Sequence, residues 1–235
     1  VVGADGRASS VTRLFDFATE IFAYDNPLVV LFAPCPEDDP RHDLRAYMTK
    51  AGVISFVPRL PHHWKIGFPI PKKELSRWKK STSAERADWL HDLVPDMEAL
   101  DTEVVGFYQP VKLTALHWAK QNVVLIGDAC HALHPGQSQG MNVTIRCVDQ
   151  LKAHLPLNDH FTVSAVCQAL QAYEDQVRPT IEPMLIANHE RGLEMDSIDG
   201  EATLSRHSFY RGIQDDPTQY QAYCMRMAGY PIPSK

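Results

Sequence analysis

GDACHALHPGQSQGMN (residues 127–142) follows directly on a short apolar run, VVLI at 123–126. That run suits a strand buried on both faces. It ends on Gly127 and Asp128, and a loop carrying Pro135, Gly136 and Gly140 leads to Asn142, where a helical pattern begins. The carboxyl end of such a strand is where ligands of α/β sheets bind. A helix start adds free backbone N–H groups and a positive dipole end, which favour an anion or a developing negative charge. Asp128, expected to be buried, offers a fixed carboxylate for a sugar or polyol hydroxyl. Gly127 is expected to let the backbone come close to that ligand.

Around this stretch the composition excludes several classes of function. The chain has 235 residues, 44% hydrophobic and 22% charged, enough for one large domain or two small ones with a real core. Its formal net charge of −6 argues against nucleic acid as a partner. No apolar stretch approaches the roughly 18 residues that a spanning helix needs, so no stable membrane insertion is expected. The five cysteines are scattered, odd in number and without a CxxC pair, which indicates reduced thiols, no zinc site and a cytoplasmic setting. His131 and His134 lack further ligands at suitable spacing, so no metal is expected; His131 is expected to hold the loop by hydrogen bonding. Cys130 is expected to pack, not to react.

Further from the loop, the chain alternates strand and helix patterns. VVGADG (1–6) resembles the end of a buried strand running into an Asp5-Gly6 turn. It has no initiator Met and no targeting layout, so further chain is expected upstream. Ser9 or Ser10 is expected to cap a short helix over 11–14. A β-type run at 24–33 precedes a loop marked by Pro34, Pro36 and Pro40. Residues 52–58 (GVISFVP) and 64–70 (WKIGFPI) suit an antiparallel hairpin. Two helices broken at 81–83 are expected over 73–93, one strand over 104–112, and a helix over 142–155. A helical region at 163–190 is expected to be interrupted by Pro179 and Pro183. The tail beyond residue 201 has weak periodicity. On the strands, Phe56, Trp64, Phe68 and Tyr108 are candidates for lining an aromatic substrate pocket, although strand aromatics more often pack in a core.

A carboxylate for a ribityl hydroxyl and a helix start for an electron-rich carbonyl are what a flavin requires. GDACHALHPGQSQGMN resembles the GD motif, roughly GDAxHxxxPxxGxGxN, of the FAD-dependent group A flavoprotein monooxygenases, the para-hydroxybenzoate hydroxylase-like enzymes. Gly127, Asp128, Ala129, His131, Pro135, Gly140 and Asn142 fall in register. VVGADGRASSVTR (1–13) is similar to that family's DG motif, and YEDQVRP (173–179) to a segment following its GD helix. The resemblance implies an incomplete FAD-binding Rossmann-like fold of glutathione reductase type, α/β, with an inserted antiparallel β-sheet substrate domain. Residues 1–20 and 116–195 would belong to the FAD-binding domain and 21–115 to the substrate domain, with 196–235 an unplaced tail.

By the same resemblance Asp128 would hold the ribityl chain and Pro135 would face the isoalloxazine. Backbone N–H groups of Gly140, Met141 and Asn142 would stabilise reduced flavin, and Asp5 and Gly6 would shape the pyrophosphate side. The implied activity is hydroxylation of an aromatic or polycyclic small molecule with FAD as cofactor and NAD(P)H and O₂ as co-substrates; no catalytic side chain is identifiable. Two positions depart from the pattern: Ser138 stands at the first motif glycine, and Cys147 where the family has an aspartate. The GxGxxG fingerprint that seats the ADP half does not occur in these 235 residues, so the chain alone is expected to be the C-terminal part of a flavoenzyme and to bind FAD poorly. The alternatives are a flavin-dependent reductase of the same fold and a truncated, non-catalytic paralogue. The halogenase signature WxWxIP is absent.

Overall fold

Period-two burial along LVVLFAP starts the larger sheet. In the computed structural model, which describes residues 1–35, 43–95, 100–155 and 162–227, these residues form a strand, Leu28–Pro34, whose alternate side chains are buried. The elements run β1 (Val2–Gly3), α1 (Ser10–Leu14), β2 (Thr19–Ala23), β3 (Leu28–Pro34), β4 (Arg45–Thr49), β5 (Gly52–Arg59), β6 (His63–Pro69), α2 (Leu75–Lys80) and α3 (Ser83–Leu93). They continue through β7 (Glu103–Tyr108), β8 (Val111–Ala115), β9 (Ala119–Lys120), β10 (Val123–Leu125), β11 (His131–Ala132), α4 (Gly140–His154), α5 (Val163–Asp196), α6 (Gly200–Gln214) and α7 (Pro217–Met227). Much of the proline-marked loop expected after β3 lies outside the described residues. The chain divides into two units, one of Val1–Ala23, Val111–Gly192 and Thr218–Lys235, the other of Tyr24–Pro110 and Leu193–Pro217.

The first unit is α/β. Val2 and Gly3 pair in parallel with Val124 and Leu125, so the DG-like and GD-like segments leave neighbouring strands at the same end. Lys120 and Ala119 flank β10 on its other side, antiparallel. A second small sheet has the order β11-β8-β2. Val123, Val124 and Leu125 are all buried, in a core shared with Val143, Cys147 and Leu151 of α4 and Tyr173, Val177, Ile181 and Leu185 of α5. Burial on both faces accounts for the unbroken apolar run in the sequence.

The second unit is built on a five-stranded antiparallel sheet of order β4-β5-β6-β3-β7. The expected hairpin is present, with Ser55 opposite Gly67 and Phe56 opposite Ile66. α2 and α3 follow β6; they are separated where Thr82 caps α3 in a capping box with Glu85. Trp78, Leu90 and Val94 from this helical layer close over Phe68 and Ile70.

Three expectations are corrected. The single strand at 104–112 is two, β7 and β8, in different sheets. The chain leaves the first sheet at Gln109-Pro110, where proline has no N–H to donate to a ladder. The helix at 163–190 is not interrupted: Pro179 and Pro183 both lie inside the 34-residue α5. An interior proline costs about 3 kcal/mol. Burying Tyr173, Val177, Ile181 and Leu185 along one face outweighs this, at roughly 1.5–3 kcal/mol for each apolar side chain. The tail carries two helices, α6 and α7, and Asp199 caps α6 by accepting from the Ala202 N–H at 2.7 Å.

Candidate functional site

The loop at 127–142 combines a fixed backbone with exposed side chains. After β10 the chain turns through a 3₁₀ segment, Gly127–Ala129, with Gly127 at φ +61°. A Cβ there would lie 3.3 Å from the Thr144 side chain of α4, so glycine is required by conformation and by helix packing together. Its neighbour in the fold is α4. Asp128 is exposed, not buried as expected. Its carboxylate accepts no hydrogen bond among the described residues.

Further along, β11 and a second 3₁₀ segment, Pro135–Gln137, lead to Ser138 and then α4. Pro135 and Ser138 are exposed. Ser138 adopts a left-handed conformation, φ +54°. A glycine at that position in the family pattern is thereby explained by backbone geometry, and serine holds the same turn at a steric cost. α4 begins at Gly140 with no side-chain cap and no acidic residue in its first turn. Its first backbone N–H groups have no partner within the helix, and Met141 and Asn142 beside them are exposed. The structure therefore brings Asp128, Pro135, Gly140, Met141 and Asn142 onto one loop and helix start.

Beneath the loop the backbone is held by residues that sequence reasoning missed. Asn188 of α5, 2% exposed, accepts the His134 N–H at 2.9 Å and donates to the His134 carbonyl at 3.1 Å and to Gln137 Oε1 at 3.2 Å. His134 Nδ1 accepts the Gly136 N–H at 3.2 Å, and burial pushes this imidazole down to about 4. The ring is neutral at pH 7 and keeps its acceptor. The signal for Asn188 was its place on the buried face of α5, three residues past Leu185. His131 is buried with Nε2 3.6 Å from Cys147 Sγ, its Nδ1 without a partner among the described residues, and its pKa is lowered by burial. Cys130 and Cys147 are both buried, and burial raises both thiols, Cys130 far above the ordinary range. They are packing groups.

YEDQVRP is a brace. Glu174 is buried and accepts the Ala119 N–H at 2.8 Å; Arg178 pairs with Glu174 at 3.3 Å and Glu182 at 2.7 Å and donates to the Leu116 carbonyl at 2.5 Å. It fixes β9, the strand that pairs with β10, and the residues leading into it. Near β1, Gly6 has φ +79°, and Asp5 accepts the Ser10 and Val11 N–H groups at 2.6 and 3.3 Å. A hydrogen bond from Ser9, with these backbone donors, holds its carboxyl below the usual range. Asp5 thus anchors its own turn to α1.

In the second unit, Phe56, Trp64 and Phe68 are at most 1% exposed. Their expected pocket-lining role is corrected. Phe56 stacks edge-on with Trp64 at 6.1 Å and Phe68 packs on Trp78 and Trp89 at 5.2 and 4.8 Å, so their rings are spent on the core. Tyr108, on edge strand β7, is 48% exposed. Among the described residues, no helix is long and apolar enough to cross a membrane.

Comparison with known proteins bears on both units. The chain is 24% identical over 153 residues to a 3-demethoxyubiquinol 3-hydroxylase of Escherichia coli (strain K12), covering 64% of this chain and 39% of that enzyme. The fold is that of the Diels-Alderase PyrE3 of pyrroindomycin biosynthesis, with a TM-score of 0.71, 15% identity and coverage of 98% of this chain and 50% of that one. It is likewise that of CabE, an aromatic hydroxylase from angucycline biosynthesis, with a TM-score of 0.68, 17% identity and coverage of 100% and 47%. The chain thus spans half or less of the length of these proteins. Residues 1–187 match the family model described as the FAD binding domain, and the chain belongs to that family.

Proposed function

We propose that this chain is part of an FAD-dependent monooxygenase that hydroxylates an aromatic or polycyclic small molecule with NAD(P)H and O₂. The observation that carries the reading is the loop at 127–142, where an uncommitted, exposed carboxylate and an uncapped helix N-terminus flank an exposed proline on a rigidly held backbone. Those donors and acceptors fit a flavin: Asp128 would accept a ribityl hydroxyl, and the N–H groups of Gly140, Met141 and Asn142 would face its electron-rich edge. FAD, when bound, supplies the electron transfer and oxygen activation. The protein's part is to hold it: α5 fixes the loop through Asn188, and Gly127 sets the angle between β10 and Asp128. Asp5 and Gly6 would border the pyrophosphate through their turn.

A second reading keeps the flavin and changes the reaction, and the likeness to a protein described as a Diels-Alderase supports keeping it in view. Incubation with FAD, NADPH or NADH, and a panel of phenols and polycyclic phenols separates the two. The monooxygenase reading predicts substrate-dependent NAD(P)H oxidation with one oxygen atom from ¹⁸O₂ in the product. Flavin retention without oxygen incorporation across the panel would favour the second reading, and no flavin binding would favour the truncated, non-catalytic paralogue.

A further inference from the structure

Arg86, on α3, is 8% exposed, and no carboxylate lies within 4.0 Å of its guanidinium among the described residues. All its partners are neutral: Nε donates to Thr102 Oγ1 at 2.9 Å, Nη2 to the Thr102 carbonyl at 2.7 Å, and Nη1 to the Ser81 carbonyl at 2.5 Å and Ser81 Oγ at 3.4 Å. A buried guanidinium with no carboxylate in contact is unusual, because losing water is costly unless an opposite charge compensates. Glu85, the adjacent carboxylate, accepts the Thr82 N–H at 2.7 Å and the Thr82 hydroxyl at 3.0 Å through Oε2 in the capping box; these bonds first, and then the charges of Arg77 and Arg86, hold its carboxyl below the usual range. Of the five guanidinium N–H groups, four are used and one Nη2 hydrogen remains.

Arg86 lines a cavity of about 240 Å³ between α2 and α3, together with Arg77, Lys80, Trp78, Trp89 and Glu85. Arg77 and Lys80 are exposed and hold no ion pair within 4.0 Å among the described residues. Three cations therefore share one carboxylate in the lining. The lining also carries two indoles: Trp78 is buried, Trp89 half-buried, and the two rings meet edge to face at 4.9 Å. The volume lies below the roughly 300–1,000 Å³ typical of drug-sized ligands, so it admits one or two rings.

We propose that this cavity is a binding site for a small aromatic carboxylate. The carboxylate supplies Arg86 with its counter-ion at the remaining N–H, Arg77 and Lys80 close around it, and the ring lies against Trp89. All these residues belong to the unit of Tyr24–Pro110 and Leu193–Pro217, and none to the loop at 127–142. The site therefore stands independently of the flavin reading.

The probe is 2-naphthoate, titrated calorimetrically into the 235-residue chain while the indole N–H resonances of its four tryptophans are followed. Wild type is expected to bind saturably, with shifts at Trp78 and Trp89 and none at the buried Trp64 and Trp118. The neutral 2-naphthamide is expected to bind at least about tenfold more weakly. Arg86→Ala also removes the anchors to Ser81 and Thr102, so the decisive variant is the surface pair Arg77→Ala/Lys80→Ala, expected to lose about tenfold in affinity with an unchanged melting temperature. The proposal is overturned by any of three results: no saturable binding up to about 1 mM, equal affinity for the amide or in the double variant, or shifts confined to Trp64 or Trp118.

Discussion

The loop at 127–142 and the aromatic strands of the larger sheet both carry residue types that bind ligands, and they use them in opposite ways. On the loop the backbone of His134 is buried and pinned while Asp128, Pro135, Met141 and Asn142 are left exposed. On β5 and β6 the side chains of Phe56, Trp64 and Phe68 are buried, Phe56 against Trp64 and Phe68 against Trp78 and Trp89. The difference teaches where binding energy is kept. A ring enclosed by its own core presents no surface to a ligand, whereas an uncommitted polar group on a held frame does.

That contrast can be broken by mutation, beginning with the largest effect. Trp64→Ala should cost roughly 3–5 kcal/mol of stability, seen as a lowered urea midpoint, and leave FAD affinity of the folded fraction unchanged. A stable Trp64→Ala protein with lost ligand binding would return Trp64 to the pocket.

Acid comes next. Burial pushes His134 down to about 4 and lowers His131 as well. In the unfolded chain histidine titrates near 6.5, so as pH falls the unfolded state takes up protons first. The stability held by the neutral rings is complete above about pH 6.5 and is lost as pH falls from there to about 4, with about 3 kcal/mol from His134 alone. Urea midpoints that stay level from pH 7 to pH 4.5 would mean that these rings titrate normally.

Asn188→Ala leaves the buried N–H and carbonyl of His134 unpaired and should cost roughly 2 kcal/mol, with faster hydrogen exchange at Gly136. Exchange unchanged from wild type would show that the loop does not depend on α5. Ser138→Gly, the smallest change, relieves a left-handed serine and should raise stability by about 1 kcal/mol, with FAD affinity equal or tighter. A loss of either would give the serine hydroxyl a positive role.

The sequence carried the loop well because its punctuation is local. An apolar run, a glycine pair and a helix start are set by neighbouring residues, and α4 begins at Gly140, two residues before its expected start. β5 and β6 were legible for the same reason. What was not legible depended on distant partners. Asp128 looked buried because its strand is, and only the Gly127 turn exposes it. Pro179 and Pro183 looked like helix ends, and the packed face of α5 overrode them. Asn188 lies 54 residues from the main chain it holds. The aromatic residues of β5 and β6 have the same composition in a pocket wall as in a core, so pattern alone could not separate the two.

The central claim, that the loop at 127–142 is a flavin site, is tested most directly by titrating FAD into the wild-type chain and Asp128→Ala and following quenching of flavin fluorescence. Because the Asp128 carboxylate is exposed and uncommitted, the variant should melt at the wild-type temperature and bind FAD at least about tenfold more weakly, the worth of one charge-assisted hydrogen bond. Equal affinities in the two proteins, with both folded, would contradict it.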